Sequence, residues 1–145
     1  MKKLLLLIVA VFALNFAFAQ KKIIGVNDLG NLSYTQVKSN ESVAPCEEYP
    51  KFIVYCVEDG SRVSYEFENN TLIGIQFWTA QSTNYDAELE LSALVREKKR
   101  NTGIEPAKYK GQTIFYRPGS PIIVSYSIEN LNNTYFVVLY VRKTE

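Results

Sequence analysis

The chain contains no histidine, and this limits the chemistry that it can perform. Catalysis by Ser-His-Asp or Cys-His groups, imidazole general bases and nearly all zinc or copper sites need that side chain. An enzyme built on this sequence would have to use carboxylates, tyrosine, lysine or an unassisted serine. The sequence also lacks a glycine-rich phosphate loop and a Gly-x-Ser-x-Gly pattern. We therefore predict no cofactor.

Carboxylate pairs are the acid–base groups that remain, since two of them about 5–9 Å apart could cleave a glycosidic bond. Neighbouring acids occur at Glu47-Glu48, at Glu58-Asp59, and at Asp86, Glu88 and Glu90. None of these spacings fits a calcium loop, and the count of acids alone indicates little. We interpret them as surface charge. A small carboxylate-dependent hydrolase acting on cell-wall glycan stays open as an alternative.

Cys46 and Cys56 are the only cysteines in the sequence. An even number in an oxidising compartment is typical of a disulfide. Redox pairs usually lie two residues apart, and metal sites need further histidine or cysteine ligands. A bridge that closes this loop would stabilise the fold by about 3 kcal/mol in the chain-entropy model. The sequence therefore predicts a structural disulfide and no metal site.

Residues 1–19 have the pattern of a secretory signal peptide. Lys2-Lys3 form a positive head, Leu4–Leu14 is an apolar run, and Ala17-Phe18-Ala19 supplies the small residues that a signal peptidase accepts. The run is shorter than the roughly 20 residues that span a bilayer. We expect cleavage before Gln20 and a soluble exported protein without membrane insertion, either in the bacterial periplasm or outside the cell.

The charge of the exported chain argues against nucleic acid as a partner. The full sequence has 16 Lys and Arg against 15 Asp and Glu, and two of the lysines lie in the predicted signal peptide. A chain with almost no net charge exerts no long-range attraction on nucleic acid or on anionic lipid.

Composition and hydrophobic periodicity divide the exported chain into two parts. Residues 20–50 are expected to form an irregular N-terminal arm, because residues 31–50 are rich in Ser, Asn, Glu and Pro and show weak periodicity. Short strands could form at Ile23, Ile24 and Val26 and near 34–37. Residues 51–145 are predicted to form a single α+β domain, and no internal repeat is evident. Strand patterns cover residues 51–57, 63–67, 72–79, 112–116, 122–128 and 135–141.

One amphipathic helix is predicted from about residue 85 to residue 101. Its apolar stripe consists of Ala87, Leu91, Leu94 and Val95. The stripe needs an apolar sheet face, which a hairpin offers through Val63, Tyr65 and Phe67 on one strand and Ile73, Ile75 and Phe77 on the next. The predicted fold is a two-layer α+β sandwich, with a mostly antiparallel sheet of about 5–7 strands and this main helix on one face.

Alternation places a second set of side chains on the other face of that sheet. The set comprises Ser64, Glu66, Gln76, Trp78 and Tyr140, and it could continue through Ser125, Ser127, Phe136 and Val138. Large aromatic and small polar groups on an open sheet would make a binding platform. We favour the alternative that residues 20–50 fold over this face and make Trp78 ordinary core packing.

Three functional hypotheses follow from these patterns. The first is a non-enzymatic binding module that uses a sheet face or a strand edge against a protein, a peptide or a glycan. The second is the carboxylate-dependent hydrolase. The third is a structural subunit of an envelope assembly whose partner completes the sheet.

Overall fold

The structure, a computed structural model, describes residues 24–144. The predicted signal peptide, residues 1–19, lies outside the described residues. Within the described part, the chain forms an α+β fold with one antiparallel sheet of eight strands and two α-helices. A 3-10 turn at Val26–Asp28 precedes them.

The elements follow one another in a regular order. Helix α1 is Tyr34–Asn40 and helix α2 is Asn84–Thr102. The strands are β1 (Glu47–Tyr49), β2 (Phe52–Cys56), β3 (Arg62–Glu68), β4 (Thr71–Gln81), β5 (Ala107–Tyr109), β6 (Gln112–Tyr116), β7 (Ile122–Leu131) and β8 (Thr134–Lys143). Their order in the sheet is β1-β2-β3-β4-β8-β7-β6-β5, and every neighbouring pair is antiparallel.

The sheet is larger than the 5–7 strands predicted. The two additional strands, β1 and β5, have three residues each and form the two edges of the sheet. Three residues are too few to show an alternating hydrophobic pattern, so the sequence carries no signal for them. The other six strands coincide with the six predicted patterns.

Helix α2 confirms the one helix that was predicted. The Thr83 side chain accepts a hydrogen bond from the backbone N–H of Asp86, which satisfies a free donor of the first turn. Gly103 ends the helix with φ 66°, a left-handed conformation that glycine adopts without steric cost. Ala87 of the predicted stripe is completely buried.

Helix α1 lies where an irregular arm or a short strand was expected. Ser33 and Gln36 form a capping box, in which each side chain bonds the backbone N–H of the other residue. This Ser-x-x-Gln pattern is a signal for the start of a helix. The prediction missed the helix because the hydrophobic periodicity of the segment is weak. Val37, one turn later, is completely buried and belongs to the same core cluster as Ile53. Residues 24–50 therefore contribute to the core, through Ile24, Leu29 and Val37.

A β-bulge changes one of the predicted face assignments. The pairing of β3 with β4 shifts between Glu66 and Phe67, so that Phe67 lies opposite Leu72. Ile73 is the extra residue of the bulge, and it does not pair with the predicted apolar set. Leu72 takes that place and is completely buried.

The structure contains an internal repeat that the sequence analysis did not find. Each half consists of a capped helix, a short hairpin and a long hairpin, and β4 pairs with β8 where the halves meet. Val63-Ser64-Tyr65 on β3 and Val124-Ser125-Tyr126 on β7 occupy equivalent positions. In both halves, the tyrosine makes an edge-on contact with an aromatic ring of the preceding strand at a centroid distance of 5.9 Å.

The turns and helices repeat as well. Asn69-Asn70-Thr71 connects β3 to β4, and Asn132-Asn133-Thr134 connects β7 to β8, with positive φ at all four asparagines. Two consecutive positive φ values are what a two-residue hairpin turn requires. Val37 of α1 and Ala87 of α2 are both the fourth residue of their helix, and both are completely buried. The fold therefore consists of two copies of one unit, and each copy has one helix followed by four strands.

The predicted disulfide is confirmed. Cys46 and Cys56 are bonded, with their Cα atoms 5.8 Å apart, and the bridge ties the segment before β1 to the end of β2.

Among residues 24–144, no helix is both long enough and apolar enough to cross a membrane.

Replacing Val37 with alanine should lower the free energy of unfolding by about 2 kcal/mol, because a fully buried side chain would leave a cavity. Val43, which is 58% exposed, offers a matched control. Val43→Ala should change stability by less than about 0.5 kcal/mol. Urea denaturation of both variants measures the difference. Equal effects would show that α1 is not part of the core.

Candidate functional site

The two faces of the sheet differ in what covers them. We call the side with Tyr65, Ile75 and Val141 the helix face, and the opposite side, with Gln76 and Tyr140, the open face. Both helices pack on the helix face. The buried side chain of Val37 in α1 belongs to the core cluster of that side, and α2 lies across β4, β7 and β8.

The described part of residues 20–50 therefore does not cover the open face. Lys38 and Tyr34 of α1 bond Glu48, which alternates onto the helix face of β1. The expectation that this segment folds over Trp78 is wrong for residues 24–50, because Val37 anchors it to the opposite side. Within residues 24–144, no helix packs on the open face.

All five side chains predicted to share a face lie on the open face. Ser64, Gln76, Tyr140 and Ser125 form a row across four neighbouring strands, since each is the cross-strand partner of the next. The two serines are buried. Their small side chains leave room for the larger glutamine and tyrosine between them. Glu66 lies on one side of this row and Trp78 on the other.

An aromatic cluster lies on the Trp78 side of the row and consists of Trp78, Phe136, Arg62 and Glu47. The rings of Trp78 and Phe136 meet edge-on at 5.7 Å, and the Arg62 guanidinium lies 5.7 Å from the Phe136 ring centroid. Arg62 Nη1 is 3.2 Å from Glu47 Oε1. The indole N–H of Trp78 donates to Gln76 Oε1 at 3.0 Å, so the ring orientation is fixed.

This cluster explains how Phe136 is only 2% exposed on a face without a helix. Trp78 covers one side of its ring and Arg62 covers another, so the phenylalanine is buried by its neighbours in the same layer. Trp78 itself stays partly accessible. Such a half-covered indole, held by a hydrogen bond, offers apolar contact area with little conformational entropy left to lose.

A polar cluster lies on the other side of the row and consists of Glu66, Tyr140, Gly74 and Arg142. The hydroxyl of Tyr140 donates a hydrogen bond to Glu66 Oε2. Arg142 Nη2 lies 3.9 Å from Glu66 Oε1. Burial first, and the bond to the Glu66 carboxylate second, raise the pKa of the Tyr140 hydroxyl well above its ordinary value. A carboxylate held by a phenol and a cation has a structural role in this layer.

Gly74 makes the polar cluster possible. A Cβ atom at this position would lie 2.8 Å from Tyr140 Cε2 and 2.9 Å from Glu66 Oε2. Because glycine has no side chain, the tyrosine can cross β4 and reach the carboxylate on β3. Gly74, Arg62 and Arg142 were not among the predicted site residues. An isolated glycine inside a strand pattern was the available signal for a close approach.

Three tyrosines form the rim of the open face and are more than half exposed. Tyr49 on β1 is 54% exposed, Tyr109 on β5 is 59% exposed, and Tyr116 on β6 is 51% exposed. Tyr49 and Tyr109 occupy equivalent positions in the two halves, at opposite edges of the sheet. The open face therefore has exposed aromatic groups at its ends and a tightly packed centre.

The acids considered for catalysis are not assembled into one cleft. Glu47 contacts Arg62 and accepts a bond from Tyr49, whereas Glu48 alternates onto the opposite face. Asp86 helps to cap α2 through its bond to Thr83. In the part of the chain that the structure describes, no group of three or more Cys, Asp or Glu residues is placed to hold a metal ion.

Comparison of this chain with protein-family models, with curated proteins and with solved structures finds no match.

Gly74→Ala should lower the free energy of unfolding by about 1–3 kcal/mol, because the new methyl group would force the Tyr140–Glu66 pair apart. Gly25 has open space around its Cα and a negative φ, so Gly25→Ala is the matched control. The control should stay within about 0.5 kcal/mol of the parent protein. Chemical denaturation measures both, and an unaffected Gly74→Ala protein would contradict the described packing.

The raised pKa of Tyr140 should make the fold sensitive to alkali. Its neutral form is favoured in the folded state, so its contribution to stability is complete below pH 10, the ordinary pKa of tyrosine, and declines as the pH rises above that value. Tyr140→Phe removes the titrating hydroxyl and keeps the ring. Between pH 9 and about pH 12, this variant should lose less stability than the parent protein. Equal losses in denaturation measured at each pH would contradict this assignment.

Proposed function

We propose that this chain is an exported, non-enzymatic binding module that holds its partner on the open face. The observation that carries this proposal is the uncovered layer around Trp78, Gln76 and Tyr140, with both helices on the opposite side. Antiparallel sheets commonly have one face toward solvent, and polar side chains are expected there. This face instead carries the large rings of Trp78, Phe136 and Tyr140. Here, one face is packed laterally by its own side chains, and its larger groups stay accessible.

The composition of this face supports binding. The face combines the Trp78–Phe136 ring pair with a row of small polar and phenolic groups. Arg62 and Arg142 each lie close to a glutamate, and exposed tyrosines lie toward the edges of the sheet. Binding surfaces in proteins are enriched in Trp, Tyr, Phe and Arg, with unpaired charge depleted at the centre. We propose the open face and not a sheet edge as the binding surface, because β1 and β5 offer only three residues each to an added strand.

The hydrolase hypothesis has less support from the geometry. A general acid needs a carboxyl group free to exchange its proton with substrate. Glu66, the carboxylate nearest the centre of the open face, accepts a bond from Tyr140 and lies close to Arg142. The third hypothesis is an envelope subunit whose partner completes the sheet. The short edge strands β1 and β5 argue against it, because they offer few backbone groups for a partner strand to pair with.

Export is part of the proposal, and two features support it. Residues 1–19 have the signal-peptide pattern, and the Cys46–Cys56 bridge is a bond that persists in oxidising compartments.

Trp78→Ala should weaken binding to the envelope fraction of the producing bacterium by about tenfold or more, since loss of a central aromatic group costs about 1.4 kcal/mol or more. Gln76→Ala is a milder second variant, which frees the indole and keeps the ring. Tyr85→Ala is the control, because Tyr85 is 67% exposed on α2, away from the open face. Circular dichroism establishes that each variant is folded.

Folded Trp78→Ala and Gln76→Ala proteins that retain every partner would remove the open face from consideration. Turnover of wall glycan by the processed protein, abolished on neutralising two nearby acids, would favour the hydrolase instead.

A further inference from the structure

We propose that a cavity on the helix-face side of the first half, at the end of the sheet, binds a short saccharide. We call it the turn cavity, because it lies between the β1–β2 turn, the β3–β4 turn and the start of α1. Its lining residues are Tyr34, Pro50, Lys51, Phe67, Asn69 and Asn70. The inference goes beyond the proposed function, since none of these residues belongs to the aromatic or the polar cluster of the open face.

The size and lining of the turn cavity are typical of a small-ligand site. Its volume is about 440 Å³. Ligand pockets in proteins measure about 300–1,000 Å³ and are mostly apolar, with a few polar groups that orient the ligand. Here Tyr34, Pro50 and Phe67 supply the apolar part, whereas two asparagines and one lysine supply the polar part. The cavity therefore suits a small molecule and not a folded domain.

Tyr34 presents an aromatic ring that is held in place. The ring contacts that of Phe67 at a centroid distance of 5.1 Å, the hydroxyl donates to Glu48 Oε1 at 2.5 Å, and the backbone N–H donates to Asn70 Oδ1 at 3.3 Å. Burial first, and the bond to the Glu48 carboxylate second, raise the pKa of the hydroxyl to about 12, so the phenol stays neutral. Such a ring has little conformational entropy to lose when the C–H groups of a sugar stack on it.

The polar groups of the cavity match the hydroxyl groups of a sugar. Asn70 uses its Oδ1 atom for the Tyr34 N–H, which leaves its Nδ2 hydrogens for a ligand. Among residues 24–144, the Asn69 amide and the Lys51 ammonium have no protein partner. An amide donates and accepts, as a sugar hydroxyl does, whereas a phosphate group would need a cluster of cations. One lysine does not supply that cluster.

The internal repeat separates what the fold requires from what this cavity adds. Both Asn-Asn turns have positive φ, so the backbone alone accounts for the asparagines in each half. The ring pair is different. Tyr34 is the first residue of α1, and α2 begins with Asn84. The position of Phe67 on β3 corresponds to that of Ile128 on β7. The repeated unit therefore does not require this ring pair, which only the first half has at these positions.

Titration of the processed protein with defined saccharides tests the inference. Isotope-labelled protein is titrated with N,N′-diacetylchitobiose, cellotriose, maltotriose or mannotriose, and two-dimensional NMR spectra follow the side-chain amides. We expect at least one saccharide to shift the signals of Asn69 and Asn70, with a dissociation constant in the millimolar range.

Matched variants locate the site. Asn69→Gly removes one amide and keeps the positive φ, so it should weaken binding about fivefold. Asn132→Gly makes the same change in the other turn and should leave binding unchanged. Tyr34→Leu removes the ring, keeps an apolar side chain and should weaken binding about tenfold. Circular dichroism establishes that each variant is folded.

A further variant separates this site from the open face. Trp78→Ala should bind the saccharide as the parent protein does. Loss of binding in Trp78→Ala, with intact binding in Asn69→Gly, would overturn the turn cavity and support the proposed function of the open face. Equal weakening by Asn69→Gly and Asn132→Gly would also overturn the inference, because only the first turn lines the cavity. So would the absence of amide shifts with all of the saccharides, a result that leaves open-face binding intact.

Discussion

The pairing of β4 with β8 is the interaction on which the rest of the structure depends. The paired residues run from Gly74 opposite Arg142 to Gln81 opposite Tyr135. Within residues 24–144, this is the one ladder that joins the two repeated units, each of one helix and four strands. The apolar core continues through Ile75 and Val141, which lie opposite each other on the helix face. The Tyr140–Glu66 bond crosses the same boundary on the open face. Without this ladder, each unit would expose a long unpaired strand and would carry only half of the helix face and half of the open face.

Much of the fold could be predicted because its longer elements have clear hydrophobic patterns. The cap of helix α2 at Thr83 and its end at Gly103 are visible in the sequence. The alternation of β3 places Ser64 and Glu66 on one face of the sheet and Tyr65 on the other. The edge strands could not be found, because three residues do not establish a period. The position of Ile73 could not be found either, because a bulge changes which residues face the core without changing the local sequence pattern. Helix α1 had a signal in Ser33 and Gln36, but the polar composition of the segment outweighed it.

The sequence predicts that the candidate residues share one face of the sheet, but it does not predict what packs around them. Periodicity alone assigns Ser64, Gln76, Trp78 and Tyr140 to one face, and the structure places them there. Which face the N-terminal segment covers depends on where Val37 docks, and this is a tertiary contact with no local signature. The shielding of Phe136 by Arg62 and Trp78 is a further example, since these residues lie far apart in the sequence. The sequence does not reveal the repeat, because the two halves share only a few identical residues, such as the paired asparagines of the two turns.

The two asparagine turns have a consequence for how the chain folds. Each connects strands that are adjacent in the sequence, so both long hairpins can form from local contacts, on a microsecond timescale. The central ladder joins residues from distant parts of the chain, and its formation must wait until loop-closure entropy has been overcome. The Cys46–Cys56 bridge lies entirely within the first half and does not shorten that search. We therefore expect the docking of the two hairpins to be the slow step in folding, and strands β4 and β8 to be the segments most open to misassociation before it is complete.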